Sequence, residues 1–202
     1  MELTQPLRLA SASPRRSDLL TALGLTFSVH PLDINEIIPD GLPNVEAAEY
    51  LAKLKAAAAE HLLHAGAGQR ATVLTADSVV LLGEELLGKP RDLDEARDVL
   101  RRLCGATHTV VTGFCLRWLD DAGTAGIMSE SVRTGVTLAG ATEAEIDYYV
   151  ARQPPLDRAG SYGIQDWIGW AKLVRLEGSY SNVMGLPTAR VYNALVDNGL
   201  LR

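Results

Sequence analysis

The sequence predicts an α/β fold, a mixed twisted sheet flanked by helices. Two observations carry the assignment. Short apolar runs of strand periodicity alternate along the chain with amphipathic stretches of helical periodicity. Two long strand patterns, about Thr107–Leu119 and Met128–Leu138, stand next to each other in mid-chain, where strict strand–helix alternation would place a helix. With 202 residues, no internal repeat and no linker-like composition break, residues 1–202 read as one domain.

The elements follow in order. A first strand covers Leu7–Ala10, and a Ser11-Ala12-Ser13 turn leads into a helix with Ser13 at its N-cap, Pro14 at its first position and Gly24 past its end. Thr26–His30 alternates as a strand. Asn44 opens a long helix to about Ala65, followed by Gly66 and Gly68. Ala71–Leu82 is a buried strand interrupted by Thr75, Asp77 and Ser78, and Gly83-Glu84-Glu85 is a hairpin turn. Asp92 and Glu95 open a helix ending at Gly105, and Thr142 with Glu145 forms a capping box before a further helix. Gln153–Gly163 reads as a loop, the stretch to about Leu176 as a strand, Gly178–Pro187 as a loop, and a last helix ends at Gly199.

Composition narrows the function. The net charge is −6, with no basic run, which disfavours a duplex-DNA, RNA or membrane-surface partner but leaves room for a small anion held by a few converging cations. No apolar run reaches membrane-spanning length and the N-terminus lacks the pattern of a signal peptide, so the expected location is the cytoplasm. Cys104 and Cys115 lack metal-ligand spacing and read as small buried hydrophobes.

Five clusters could carry chemistry. Ser11, Ser13, Arg15 and Arg16 sit at a strand-to-helix turn, where free amides, a helix dipole, hydroxyls and guanidiniums together suit a triphosphate; a capped helix with two solvated arginines fits the same spacing. Asp77 is a carboxylate inside an apolar strand, suited to a divalent cation or to taking a proton from water, and equally to a structural arginine or backbone donors. Lys89 in Gly88-Lys89-Pro90 suits a phosphate or plain solvent. Glu36, on a loop near Asp33, reads as a metal ligand or a solvated acid, and Lys55 as part of a solvated helix face. Pro155–Gln165 combines glycines with Tyr162 and Gln165, whose amide could read a base; the bland alternative is a turn and an edge strand. Glu177–Pro187 is a polar loop. Trp167, Trp170 and Tyr180 suit either base stacking or ordinary packing.

Taken in order, these segments resemble the Maf-like family of nucleotide pyrophosphatases. The resemblance rests on Leu9-Ala10-Ser11-Ala12-Ser13-Pro14-Arg15-Arg16, Ala76-Asp77-Ser78-Val79-Val80, Gly88-Lys89-Pro90, Leu103–His108 with Thr112-Gly113, Ala159–Gln165 and Glu177–Pro187, and so covers nearly the whole chain. It implies a sheet with a deep central cleft between two lobes, similar to inosine triphosphate pyrophosphatases. The implied reaction is hydrolysis of a nucleoside triphosphate to monophosphate and pyrophosphate with a divalent cation, Mg²⁺ or Mn²⁺. The implied roles are Asp77 as proton acceptor, Ser11, Arg15, Arg16, Lys55 and Lys89 along the phosphates, and Glu36 with Asp77 at the metal. Arg15, Ser78 and Gln165 fall at the positions linked to base choice.

Pro14-Arg15-Arg16 with Tyr162-Gly163-Ile164-Gln165 resembles the subgroup that prefers dTTP and UTP, with modified pyrimidine nucleotides as further candidates, rather than the subgroup that prefers 7-methyl-GTP. Two positions depart from the pattern: Ser78 stands where Thr is common, and Leu54 where Glu often precedes the lysine. The competing reading is a non-catalytic nucleotide-binding regulator linked to cell division and septum formation. A homodimer is the default expectation, since two-fold dimers are the commonest oligomers.

Overall fold

In the computed structural model, which describes residues 1–64 and 69–202, the element order is β1 (Leu7–Leu9), α1 (Pro14–Ala22), β2 (Phe27–Val29), α2 (Ala47–Ala58), β3 (Thr72–Leu82), β4 (Glu85–Leu87), α3 (Leu93–Leu103), β5 (Thr107–Leu119), β6 (Ala125–Leu138), α4 (Glu143–Arg152), α5 (Trp167–Lys172), β7 (Leu173–Glu177), α6 (Tyr180–Met184) and α7 (Thr188–Asp197). The strands form one sheet in the order β2-β1-β3-β5-β6-β7, with β4 also on β3. β1 is parallel to β2 and β3, whereas β4 on β3 and β7 on β6 are antiparallel, so the sheet is mixed as predicted. Among the described residues no helix is long and apolar enough to cross a membrane.

The chain divides into two compact units. The first comprises Met1–Asp77, Thr112–Ser131 and Gly185–Arg202. It is built on the parallel trio β2-β1-β3, with Leu9 opposite Val29 on one side and Leu74 on the other. Helix α2 lies on this sheet through small residues. Ala48, Ala52 and Ala56, one helical turn apart, are 0–1% exposed, and Ala52 and Ala56 pack on Cys115 of β5. Gly113 permits the approach: a Cβ there would lie 2.4 Å from the Glu49 nitrogen and 2.5 Å from the Ala48 carbonyl carbon and oxygen. Thr75 ties the same layers, its hydroxyl donating to the Ala52 carbonyl at 2.7 Å.

The second unit comprises Ser78–Val111 and Val132–Met184. Its core gathers Leu100 and Leu103 of α3, Ile146, Tyr149 and Val150 of α4, Val136 and Leu138 of β6, and Tyr162, Ile164 and Ile168. Asp92 caps α3 through the amides of Asp94 and Glu95, and the Thr142–Glu145 capping box opens α4. The outer faces of α3 and α4 are laced by Arg97–Asp147 at 2.7 Å and Arg101–Glu143 at 2.8 Å, exposed pairs that contribute little to stability.

Several elements differ from expectation. The helix begun near Asn44 opens as a 3-10 turn and its α part stops at Ala58, followed by a 3-10 segment, Glu60–Leu63; the expected end near Ala65, Gly66 and Gly68 lies outside the described residues. Residues 167–172 form helix α5, not strand, since Ile168 packs into the core while Trp170 stands 79% exposed, a helical spacing too short to show in sequence. The loop of 178–187 contains α6. Ser13 occupies the N-cap position without making a side-chain cap bond. Cys115 is fully buried as expected, but Cys104 is only half-buried.

Because the obstacle at Gly113 is backbone rather than a flexible side chain, Gly113→Ala should push α2 off the sheet. Overpacking of this kind costs about 1–3 kcal/mol or more. The expected result is a clear drop in the urea midpoint with an unchanged m-value.

Candidate active site

At the carboxyl end of β1, alongside the middle of β3, the first unit collects charge. β1 feeds α1 and then β2 on one side, while β3 lies on the other, so the crevice between β1 and β3 is where the strand order reverses, the usual place for a ligand in such sheets. The turn after Leu9 carries Ser11, and α1 begins at Pro14, directing its first amides and the positive end of its dipole out of this edge. Asp77 lies three residues beyond the Leu9–Leu74 pair, on the same edge.

Lys55 reaches this edge from α2. Its ammonium donates to Asp77 Oδ1 at 2.5 Å and to Glu36 Oε1 at 2.8 Å. The Lys55 and Asp77 side chains are 11% and 13% exposed, so each offsets the other's desolvation, and removing one partner of such a pair costs about 3–5 kcal/mol. The solvated-face reading of Lys55 is therefore wrong, while Glu36 is an exposed acid that also pairs with Lys55. Arg16 is buried too: Nε donates to the Gly185 carbonyl at 2.9 Å and a terminal nitrogen to Ser11 Oγ at 3.1 Å, and Ser11 Oγ also accepts from the Ser13 amide at 3.2 Å. Burial pulls the Arg16 guanidinium below its ordinary value; the field of Asp77 raises it, Arg15 lowers it, and Glu36 raises it. Arg15, half-buried, stands beside it. Three cations and two carboxylates give this edge a surplus of positive charge inside a chain of net charge −6.

Ser78, Lys89 and Gln165 belong to the second unit. Ser78 directly follows Asp77 on β3 and is half-buried. Lys89 is exposed, after β4, and the neighbouring Gly88 carbonyl accepts the Gly160 amide at 3.2 Å. Gln165 is the third residue of a turn closed by the Asp166 amide on the Gly163 carbonyl at 3.0 Å. Its own carbonyl accepts the Trp170 indole N–H at 2.8 Å, and its side-chain Oε1 is buried with no hydrogen-bond partner among the described residues. Tyr162 takes no such position: it is core, its hydroxyl 2.6 Å from His108 Nε2 with the rings edge to face. Burial pushes the Tyr162 phenol up and the His108 imidazole down to about 4. Trp167 packs on the same core, whereas Trp170 and Tyr180 are exposed.

Sequence reasoning passed over Thr75 as a helix anchor, His108, and the buried group Tyr149–Arg158–Asp166. Only Asp166, a capping-type residue before the helix of Trp167, left a recognisable signal.

The profile of the Maf-like protein family matches residues 6–198. The chain belongs to this family. A protein named dTTP/UTP pyrophosphatase from Porphyromonas gingivalis is 45% identical over 195 residues, covering 95% of this chain and 93% of that one. One of the same name from Phocaeicola vulgatus is 44% identical over 189 residues, covering 93% of each. A solved structure, a HAM1 protein from Coxiella burnetii, overlaps at TM-score 0.46 with 14% identity, over 96% of this chain and 100% of that chain.

The depressed imidazole makes acid a lever on the second unit. His108 has its folded pKa near 4 against about 6.5 unfolded, so between these values the unfolded chain binds the extra proton, and stability present above pH 6.5 is lost as pH falls towards 4. The expected loss from this group is about 2 kcal/mol between pH 7 and 5. His108→Gln should remove that part of the slope in urea titrations at the two pH values; an unaltered slope would show that His108 does not set it.

Proposed function

We propose that this protein hydrolyses dTTP and UTP to the nucleoside monophosphate and pyrophosphate. The observation that carries the reading is Asp77, at the switch point of a parallel sheet, gripped by Lys55 and flanked by Glu36, Ser11 and Arg16. The names of the two relatives support the substrate class.

Phosphoryl transfer asks a protein for positioning and charge neutralisation. Ser11, Arg15, Arg16, Lys55 and Lys89 hold the triphosphate, with the β- and γ-phosphates drawn to the cations as the leaving group. Asp77 accepts a proton from water as its oxygen bonds to the α-phosphorus and the bond from that phosphorus to the α–β bridging oxygen breaks, releasing pyrophosphate. Arg16, pinned by Gly185 and Ser11, keeps the loop after β1 in place. No three His, Cys, Asp or Glu side chains converge on a metal position among the described residues. Two carboxylates nevertheless fit Mg²⁺ or Mn²⁺, which bind one or two acids and fill the remaining positions with phosphate oxygens and water. Glu36 and Asp77 would hold the ion, which when bound neutralises phosphate charge. Gln165 reads the base: its orphaned Oε1 accepts the imide N–H of uracil or thymine, and its amide N–H donates to a ring carbonyl. Arg15 and Ser78 assist base choice.

The decisive assay is product analysis with dTTP and UTP in Mg²⁺ and Mn²⁺. Monophosphate and pyrophosphate are expected, and a diphosphate with inorganic phosphate would refute the reaction. Asp77→Asn should lower kcat by roughly 10²–10⁴-fold, with calorimetric binding of a non-hydrolysable triphosphate retained. Near-normal kcat would transfer the base role to Glu36. Gln165→Ala should narrow the kcat/KM gap between UTP and GTP, because an unpaired buried polar group no longer penalises the wrong base.

A further inference from the structure

Three side chains outside the reacting groups close the Gln165 loop on itself. Arg158, at its start, pairs with Asp166 at its end. Between them stands the hydroxyl of Tyr149, from α4, which donates to Asp166 Oδ2 at 2.9 Å and accepts from the Gly163 amide at 3.2 Å and the Arg158 guanidinium at 3.4 Å. A phenol offers one proton and two lone pairs, and here all three are engaged. Tyr149 is fully buried, and burial pushes its phenol up, so it stays protonated and can donate. Asp166 occupies the N-cap of α5 without capping it, because its carboxylate is taken by Tyr149 and Arg158. Gly163 is part of the same knot: a Cβ would fall 2.5 Å from the Arg158 guanidinium and 2.8 Å from the Asp166 carboxylate.

Buried ion pairs are weak contributors to stability, and an apolar filling of equal volume is often as good. What such a network does fix is geometry. The network holds Gly163 and Asp166 on either side of Gln165, Trp170 holds the Gln165 carbonyl, and the Gln165 side chain supplies none of these bonds.

We propose that Tyr149, with Arg158 and Asp166, is a positioning residue for base selection: it fixes the turn that presents the Gln165 amide and thereby sets the preference for a pyrimidine over a purine. The proposal rests on the reading that Gln165 contacts the base. Pairing an amide with an imide edge needs donor and acceptor placed together, and a turn free to rock would let the amide find partners on either kind of base.

Tyr149→Phe keeps the ring in the core and removes only the hydroxyl. Its ratio of kcat/KM for UTP over GTP should fall by about tenfold, while kcat on UTP stays within about twofold, since no reacting group is touched. The double variant Tyr149→Phe/Gln165→Ala should show the ratio of Gln165→Ala alone, because Tyr149 acts only through Gln165. Trp170→Phe, at an exposed position, removes the donor to the Gln165 carbonyl and should lower the same ratio with little change in melting temperature.

An unchanged ratio in Tyr149→Phe, beside a collapsed one in Gln165→Ala, overturns the positioning role. So does a further fall in the double variant. If Tyr149→Phe does not fold, Trp170→Phe decides, and an unchanged ratio there overturns the proposal. If Gln165→Ala itself leaves the ratio unchanged, the base-reading assignment fails first and takes this proposal with it.

Discussion

A carboxylate carried by an apolar strand must be answered by a positive charge, and in this protein one ammonium answers it. The Lys55–Asp77 contact at 2.5 Å governs much of the first unit. A lysine stem has fixed reach, so α2 must lie close to β3. That closeness demands small residues on both sides, and the chain supplies Ala48, Ala52 and Ala56 on the helix and Gly113 with Cys115 on the sheet. Thr75, two residues before Asp77 and so on the same strand face, hydrogen-bonds Ala52, three residues before Lys55. Strand and helix are thus joined twice in matching register, once by a neutral bond and once by an ion pair.

The second unit solves a different problem. Two of its candidate residues, Lys89 and Gln165, lie on loops, and loops lack the ladder bonds that stiffen strands and helices. The buried Tyr149–Arg158–Asp166 group and the His108–Tyr162 pair take over that task for residues 158–166. Both come at the expense of burying polar atoms, some of which, such as His108 Nδ1 and Arg158 Nε, find no hydrogen-bond partner among the described residues.

Much of this was legible in the sequence. The β1–turn–α1 unit, the Gly83 hairpin and the Thr142–Glu145 box carry local signals, in which a few adjacent residues determine the conformation. The candidate residues were legible as an ordered set through their resemblance to a family, and the structure brings Ser11, Arg16, Glu36, Lys55 and Asp77 into one neighbourhood. What stayed hidden was non-local. Lys55 read as a solvated helix residue because nothing nearby in sequence announces Asp77, 22 positions on. Helix α5 read as strand because six residues are too few for a period to emerge. Tyr149 is core, and the work of its hydroxyl stayed hidden because it depends on partners nine to seventeen residues away.

The closed loop around Tyr149 separates two properties that proteins often have to trade against each other. The bonds that hold residues 158–166 run through backbone groups and through Arg158, Tyr149, Asp166 and Trp170, while the Gln165 amide oxygen is left out of them. In the proposed role, the Gln165 side chain is therefore mounted on the scaffold rather than built into it. Substituting it removes none of the bonds that hold the loop, so if this side chain reads the base, the proposed recognition chemistry is free to vary at one position while the architecture stands still.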